Sequence, residues 1–265
     1  MKRTLIAGAA FASLFAVTSA SAADLPAYSK APPVAAVYDW TGYYIGTNVG
    51  YSYGTASTNG TRTSTAAPTL LPLTDRSTIK GIIGGGQLGY NWQRGPWVYG
   101  LEADLQFSNE HATGSVCTAV GCPAGSFVFT RDYKLDWFGT ARGRIGYLPA
   151  ERILLYATGG LAYGNFSGSS WTLPMNIGTW SSLNVGWTVG AGVEAALGNN
   201  WSFKVEYLYM DLGNVGGSSA TVVVPAGGAP GSTTSYLFNT KFTDNIVRVG
   251  LNYKFGGPAA VVAKY

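Results

Sequence analysis

From Trp40 onward the chain alternates apolar and polar residues with a period of two, as strands do when their two faces meet different surroundings. Across 97–108, Trp97, Tyr99, Leu101, Ala103, Leu105 and Phe107 fall on one face, and Val98, Gly100, Glu102, Asp104, Gln106 and Ser108 on the other. Across 183–197, Leu183, Val185, Trp187, Val189, Ala191, Val193, Ala195 and Leu197 oppose Asn184, Gly186, Thr188, Gly190, Gly192, Glu194 and Ala196. Six further segments (42–55, 79–92, 132–147, 154–165, 201–211 and 243–255) follow the same template less purely, giving eight strands in all.

The connections between these strands alternate in length. Those at 56–78, 109–131, 166–182 and 212–242 are long and rich in Thr, Ser, Gly and Asn, whereas 93–96, 148–152 and 198–200 are tight turns. This spacing predicts an all-β fold, an eight-stranded antiparallel transmembrane β-barrel. It is an up-and-down meander with short periplasmic turns and long extracellular loops, and the even strand count puts both ends of the barrel on the periplasmic side. A soluble barrel would turn the same apolar face inward. The aromatics argue for the inverse: Trp92, Trp97, Tyr147, Trp201, Tyr253 and Phe255 flank the short turns or the end of the last strand, and Tyr51, Tyr53, Phe107, Tyr133, Tyr163 and Tyr209 sit at the long-loop ends. Two such belts match the two headgroup levels of a bilayer.

The beginning of the chain supports export. Lys2 and Arg3 precede an uncharged apolar run over 5–17, too short to span a bilayer as a helix, which leads to Ala20-Ser21-Ala22. A signal peptide over 1–22 is expected, then a Pro/Ala-rich periplasmic leader over 23–39, the barrel over 40–255 and a C-terminal extension over 256–265. Export places the chain in the cell outer membrane.

Composition agrees. Charged residues make up 11% of the chain and aromatics 14%, with 37 Gly, whereas a soluble domain carries about 25% charged residues. The stretch 153–193 has no charge, but its glycines and Pro174 leave no window of about 20 predominantly apolar residues, which excludes helical spans. The net charge of +4 falls to +2 without Lys2 and Arg3, and no basic cluster suits nucleic acid.

The charges lie on the polar faces in near balance. Glu102, Asp104, Asp136, Glu194 and Glu206 face Arg142, Arg144, Lys204 and Arg248 as an expected lumen ion-pair network, because an unpaired charge in a narrow barrel interior costs several kcal/mol. Gly on the same faces makes room for long side chains.

Motifs that carry chemistry elsewhere do not converge here. Gly84-x-Gly86-x-x-Gly89 has the dinucleotide pattern but lies inside a strand with no helix after it. His111, the one histidine, stands beside Ser108 and Glu110 at a strand end, too close in sequence to reach catalytic geometry together. No catalytic, cofactor-binding or metal site is assigned. Cys117 and Cys122, separated by four residues in a long connection, are a disulfide candidate in an oxidising periplasm, with two free thiols as the alternative.

Ala23-Asp24-Leu25-Pro26, the segment 40–46 (WTGYYIG), the segment 86–92 (GQLGYNW), the segment 155–164 (LYATGGLAYG) and the strand 247–255 (VRVGLNYKF) together resemble the small outer-membrane immunogenic proteins of alphaproteobacteria, grouped with opacity-type porins and OmpA-like barrels. The resemblance covers essentially the whole mature chain. It implies an eight-stranded outer-membrane barrel with surface-exposed loops, a structural or host-facing role and no catalytic site. One departure stands out: many such barrels end on a strand-terminal Phe, whereas this chain runs past Phe255 to Tyr265. Either Phe255 or the Val261-Ala263-Tyr265 stretch would then be the assembly signal. The partners to expect are outer-membrane lipid and lipopolysaccharide, the barrel-assembly machinery, and a host or surface ligand met through the loops. The function expected is envelope integrity and surface interaction, with a small porin as the alternative.

Overall fold

The computed structural model describes residues 38–64, 71–117, 128–172, 175–198, 200–223 and 233–256. The signal segment, the leader up to residue 37, the extension from residue 257 and the Cys117–Cys122 pairing lie outside these residues. Eight strands follow one another: β1 (Gly42–Ser64), β2 (Leu71–Arg94), β3 (Trp97–Cys117), β4 (Val128–Ala150), β5 (Ile153–Thr172), β6 (Met175–Ala196), β7 (Trp201–Val223) and β8 (Thr233–Lys254). Each pairs antiparallel with the next, and β1 also pairs with β8, so the sheet closes on itself. Closure satisfies the backbone without leaving an edge, which is what a bilayer demands. At the periplasmic end, Gly95 supplies the left-handed φ of +59° that lets β2 return as β3 through two residues.

Side chains alternate between lipid and lumen. Leu101, Leu105 and Phe107 are exposed on the outside, while Glu102, Asp104 and Gln106 are buried inside. Aromatic rings meet in pairs at both levels: Trp97–Tyr147 and Trp201–Tyr253 at the turn end, Trp137–Tyr163 and Trp187–Tyr209 further up. Trp137 and Tyr147 lie ten positions apart on β4, close to the ~9–11 residues a tilted strand uses to cross a bilayer.

The strands are 20–24 residues long, about twice what the membrane needs. Much of what reads in the sequence as long loops therefore continues the wall: β1 runs to Ser64 and β2 begins at Leu71. Those stretches are rich in Ser, Thr, Gly and Asn, with only scattered inward apolar residues such as Phe166 and Phe242, so little alternation marks them, although backbone pairing holds them.

The upper wall is split. Pairing of β2 with β3 runs up to Lys80↔His111, and pairing of β6 with β7 up to Trp187↔Asp211. In contrast, β8–β1 pairs as far as Ser64↔Thr234 and β4–β5 as far as Thr130↔Trp171. Above the aromatic level the wall thus becomes two four-stranded arms, β7-β8-β1-β2 and β3-β4-β5-β6, parted by two slots. β-Bulges at this level account for the parting. In β7 the register shifts at Asp211/Gly213, where Gly213 has φ of +67° and its N–H donates to Asp211 Oδ1. In β3 it shifts between Phe107 and Glu110, and Asn109 Oδ1 there accepts the Ile82 N–H in place of a strand partner.

A third bulge, at Leu135/Trp137 between β4 and β5, corrects the expected facing of β4. The extra residue inverts the alternation above it. Tyr133, read as part of the lipid-facing aromatic belt, is buried inside together with Leu135, and Asp136 is turned out of the lumen.

Candidate functional site: the filled lumen

The lumen holds three layers. Nearest the periplasm, Tyr38, Trp40, Val98, Leu154, Tyr156 and Ala196 form an apolar cluster. The chain enters it before the first strand begins. Tyr38 and Trp40 meet edge to face at 4.9 Å, the Trp40 backbone N–H donates to Gln93 Oε1 (2.8 Å), and its indole N–H reaches the Glu151 carbonyl (3.3 Å). Lys254 lies 4.8 Å from the Tyr38 ring centroid and donates to the Asp39 carbonyl. Burial, with Glu194 and Asp39 adding, pushes the Tyr38 hydroxyl up to about 12. Tyr38 belongs to the segment read as leader, yet it packs inside the barrel mouth.

Above lies the charged layer. Four acids, Glu102, Asp104, Glu194 and Glu206, meet four bases, Arg142, Arg144, Lys204 and Arg248, all buried. Glu102 receives Arg142 Nη2 and the Lys204 ammonium (3.1 Å), and accepts the Tyr44 hydroxyl at 2.7 Å. Glu206 accepts Arg248 Nε (2.7 Å), Arg142 Nη1 (3.2 Å) and the Tyr156 hydroxyl (3.0 Å). Asp104 Oδ2 accepts from Arg142 (3.0 Å), Arg248 (2.9 Å) and Thr140 (2.8 Å). Glu194 takes Arg144 Nη2 (2.8 Å), Ser202 and Asn252. Arg144 also lies over the Tyr156 ring, 4.5 Å from its centroid.

The backbone makes space for these groups in a regular way. Inward charges sit beside inward glycines on a neighbouring strand: Glu102↔Gly89, Arg142↔Gly160, Arg144↔Gly100, Lys204↔Gly250, Glu206↔Gly192 and Arg248↔Gly50. A Cβ at Gly160 would collide with the Ala141 carbonyl and come within 2.7 Å of Arg142 Cα, both backbone atoms that cannot step aside. Gly143 is the contrast: a Cβ there meets only the Gly159 carbonyl, at 4.0 Å. Gly160→Ala should destabilise the folded barrel by about 1–3 kcal/mol, while Gly143→Ala should be neutral or slightly stabilising. The denaturation midpoint of each variant in lipid vesicles checks this.

Asp136 stands apart from the layer in which the sequence placed it. It pairs with Lys134 at 2.7 Å, with the two side chains 33% and 59% exposed, on the outside of β4. The bulge described above is the cause, and nothing in the local residue pattern announces it.

The outermost layer is apolar: Ile79, Ile83, Tyr133, Leu135, Phe138, Phe166, Leu208, Met210, Phe242 and Ile246 pack together inside the wall. It bridges the two arms, since Phe166 and Phe242 meet at 5.0 Å and the hydroxyls of Thr58 and Tyr133 at 2.8 Å. Two carboxyl groups are buried with it. Asp244 accepts the Ser52 hydroxyl at both oxygens (2.6 and 2.7 Å), and Glu110 Oε1 accepts the Ser108 hydroxyl at 3.0 Å. Among the described residues neither forms an ion pair with Lys or Arg. Sequence reasoning missed Asp244 and weighed Glu110 only as a neighbour of His111; it also missed Tyr44 and Tyr156, whose hydroxyls complete the charged layer.

Of the Ser108, His111 and Glu110 trio, Glu110 points into the lumen and His111 lies exposed outside, where Nδ1 meets the Asn109 carbonyl at 3.1 Å. The strand itself separates the two side chains. The glycines of the dinucleotide-like pattern are part of β2. Among the described residues no group of three or more His, Cys, Asp or Glu side chains is placed to hold a metal ion.

A closed eight-stranded ring that turns its apolar residues outward between two aromatic belts, and its charges inward, is an integral outer-membrane barrel. The model of the outer membrane protein beta-barrel domain matches residues 8–255, and the chain belongs to that family, among the small outer-membrane proteins of alphaproteobacteria. It is 37% identical to the 31 kDa outer-membrane immunogenic protein of Brucella melitensis over 266 residues, covering 96% of this chain and all of the relative. It is 32% identical to the 22 kDa outer membrane protein of Rhizobium leguminosarum bv. viciae, with the same coverage. Among solved structures, the outer membrane protein OprG of Pseudomonas aeruginosa aligns over 82% of this chain and 98% of its own, at 12% identity and a TM-score of 0.46. The protein resides in the outer membrane.

Proposed function

We propose that this protein is a structural and surface-interaction component of the outer membrane: a plugged barrel that anchors a collar of extramembrane strands and connecting segments. It carries out no catalysis. The observation that supports this reading is the filled lumen, in which an apolar layer on either side encloses a balanced layer of four acids and four bases. Eight strands leave an interior just wide enough for side chains, and here those side chains are ion-paired or packed. A barrel built this way contributes stiffness and surface rather than a path.

The outward aromatic belts then engage lipid and lipopolysaccharide, the barrel-assembly machinery inserts the ring, and a host or surface ligand meets the collar. Brucella relatives carry the name outer-membrane immunogenic protein, and a surface antigen is the equivalent role for this chain. In planar bilayers the purified, folded protein should give no steady, reproducible conductance steps. Such steps, scaling with protein concentration, would replace this reading with a small porin.

A further inference from the structure

The two slots in the collar are not equivalent. In the β2–β3 slot, β2 brings Pro72, Asp75 and Arg76 to its unpaired stretch, and the Asp75 and Ser77 side chains lie against Gly114 of β3. Proline and charge are the usual guards of a sheet edge, and this slot has both. Above Asp211, which pairs with Lys241 of β8 at its foot, the β6–β7 slot has neither. The stretches 175–186 of β6 and 212–223 of β7 contain no charged residue and no proline, and they end their mutual pairing at Trp187↔Asp211. Each keeps its partner on the other side, β5 and β8, up to Thr172↔Met175 and Val223↔Thr233. Above Gly186, which still lies against the Asp211 and Leu212 backbone, two long strand edges without such guards thus stand on one side of the collar.

We propose that these edges join two copies of this chain, the β6 edge of one copy pairing with the β7 edge of the other. The membrane holds both copies in the same orientation. A two-fold axis along the membrane normal then sets β6 of each copy antiparallel to β7 of its neighbour, so both edges are filled by one symmetric contact. The same two strands already pair antiparallel lower in the wall, over ten residue pairs from Trp187↔Asp211 to Ala196↔Ser202. The contact repeats between chains the partnership present within one. Confinement to one membrane also keeps the partner near and correctly turned, which a soluble peptide lacks. The bulge at Asp211/Gly213 that carries β7 away from its own β6 is what leaves both edges free for the second copy.

The test is native mass spectrometry of the folded full chain extracted in mild detergent, alongside two double variants. Thr179→Lys with Ser181→Lys adds charge to the exposed outer face of the β6 edge, and Thr74→Lys with Thr78→Lys does the same to β2 at the guarded slot. The wild type and the β2 variant should be dimeric. The β6 variant should lose the dimer at least ten-fold while keeping its heat-modifiable mobility on gels, which reports an intact barrel. Hydrogen exchange over 179–186 should be slow in the wild type and fast in that variant. A wild type that is monomeric at every concentration would overturn the proposal, as would a dimer unaffected by the β6 lysines. Slow exchange in a monomer would overturn it too, since it would mean that the slot closes within one chain or holds a different occupant.

Discussion

Replacing Glu102 by Gln should lower the stability of the barrel by about 3–5 kcal/mol, the cost of breaking a buried pair by removing one partner. Glu102 lies within ion-pair distance of Arg142, Arg144, Lys204 and Arg248. Without its charge, three acids remain against four bases in a layer that water does not reach. The amide still fills the space and accepts the Tyr44 hydroxyl, so the loss is electrostatic rather than steric. Adding Lys204→Met should recover most of the deficit, because it returns the layer to three against three. Urea unfolding midpoints in lipid vesicles for the two single variants and the double variant close the cycle. If the double variant is as unstable as the sum of the singles, the layer is not a coupled network. The outer pair offers the control: Asp136→Asn should change stability by no more than about 1 kcal/mol, as expected for solvent-screened charges.

Trp40→Ala should cost a comparable amount, about 3–5 kcal/mol, typical of removing a large buried aromatic. Trp40 is 2% exposed, and its ring packs on Tyr38 within the periplasmic apolar cluster. Its loss also strands the Glu151 carbonyl and removes the rung on which Tyr38 rests. The same vesicle unfolding measurement applies. The variant should remain non-conducting even so, because the charged layer and the outer apolar layer are untouched. A Trp40→Ala barrel that conducts would mean that the periplasmic cluster alone closes the lumen.

The sequence was most informative where the two faces of a strand meet unlike media. Between the aromatic belts, lipid lies on one side and paired charge on the other, so β3 and the lower half of β6 display their strand character residue by residue. In the collar that difference vanishes, and the Ser-, Thr- and Gly-rich continuations of β1, β2, β5 and β7 read as loops. The lumen charges were legible because charges in an apolar, aromatic-rich chain must go somewhere shielded. Asp136 misled for a specific reason: one inserted residue in β4 inverts which side is which, and a bulge leaves no mark in composition. The inward apolar layer was legible only in part. Leu208 and Met210 share the face of Lys204 and Glu206, and Ile246 that of Arg248, so alternation turns them inward, whereas Phe242 fell in a segment read as a loop. Glu110, taken as part of a loop, is inside because β3 continues past its bulge.

The charged layer also polices assembly. Its members come from β3, β4, β6, β7 and β8, and Arg142 and Arg248 reach acids on both β3 and β7. No single hairpin contains the complete set of partners, so an open sheet must carry these ions solvated or protonated until the ring shuts. A slip of two residues between β3 and β4 would keep every side chain on its proper face, and the apolar pattern would not object. Yet it would set Glu102 against Thr140 or Arg144 in place of Arg142 and move Arg144 off Gly100. The ion pairs therefore act as a lock that turns in one register, discriminating among near-identical closures that lipid cannot tell apart.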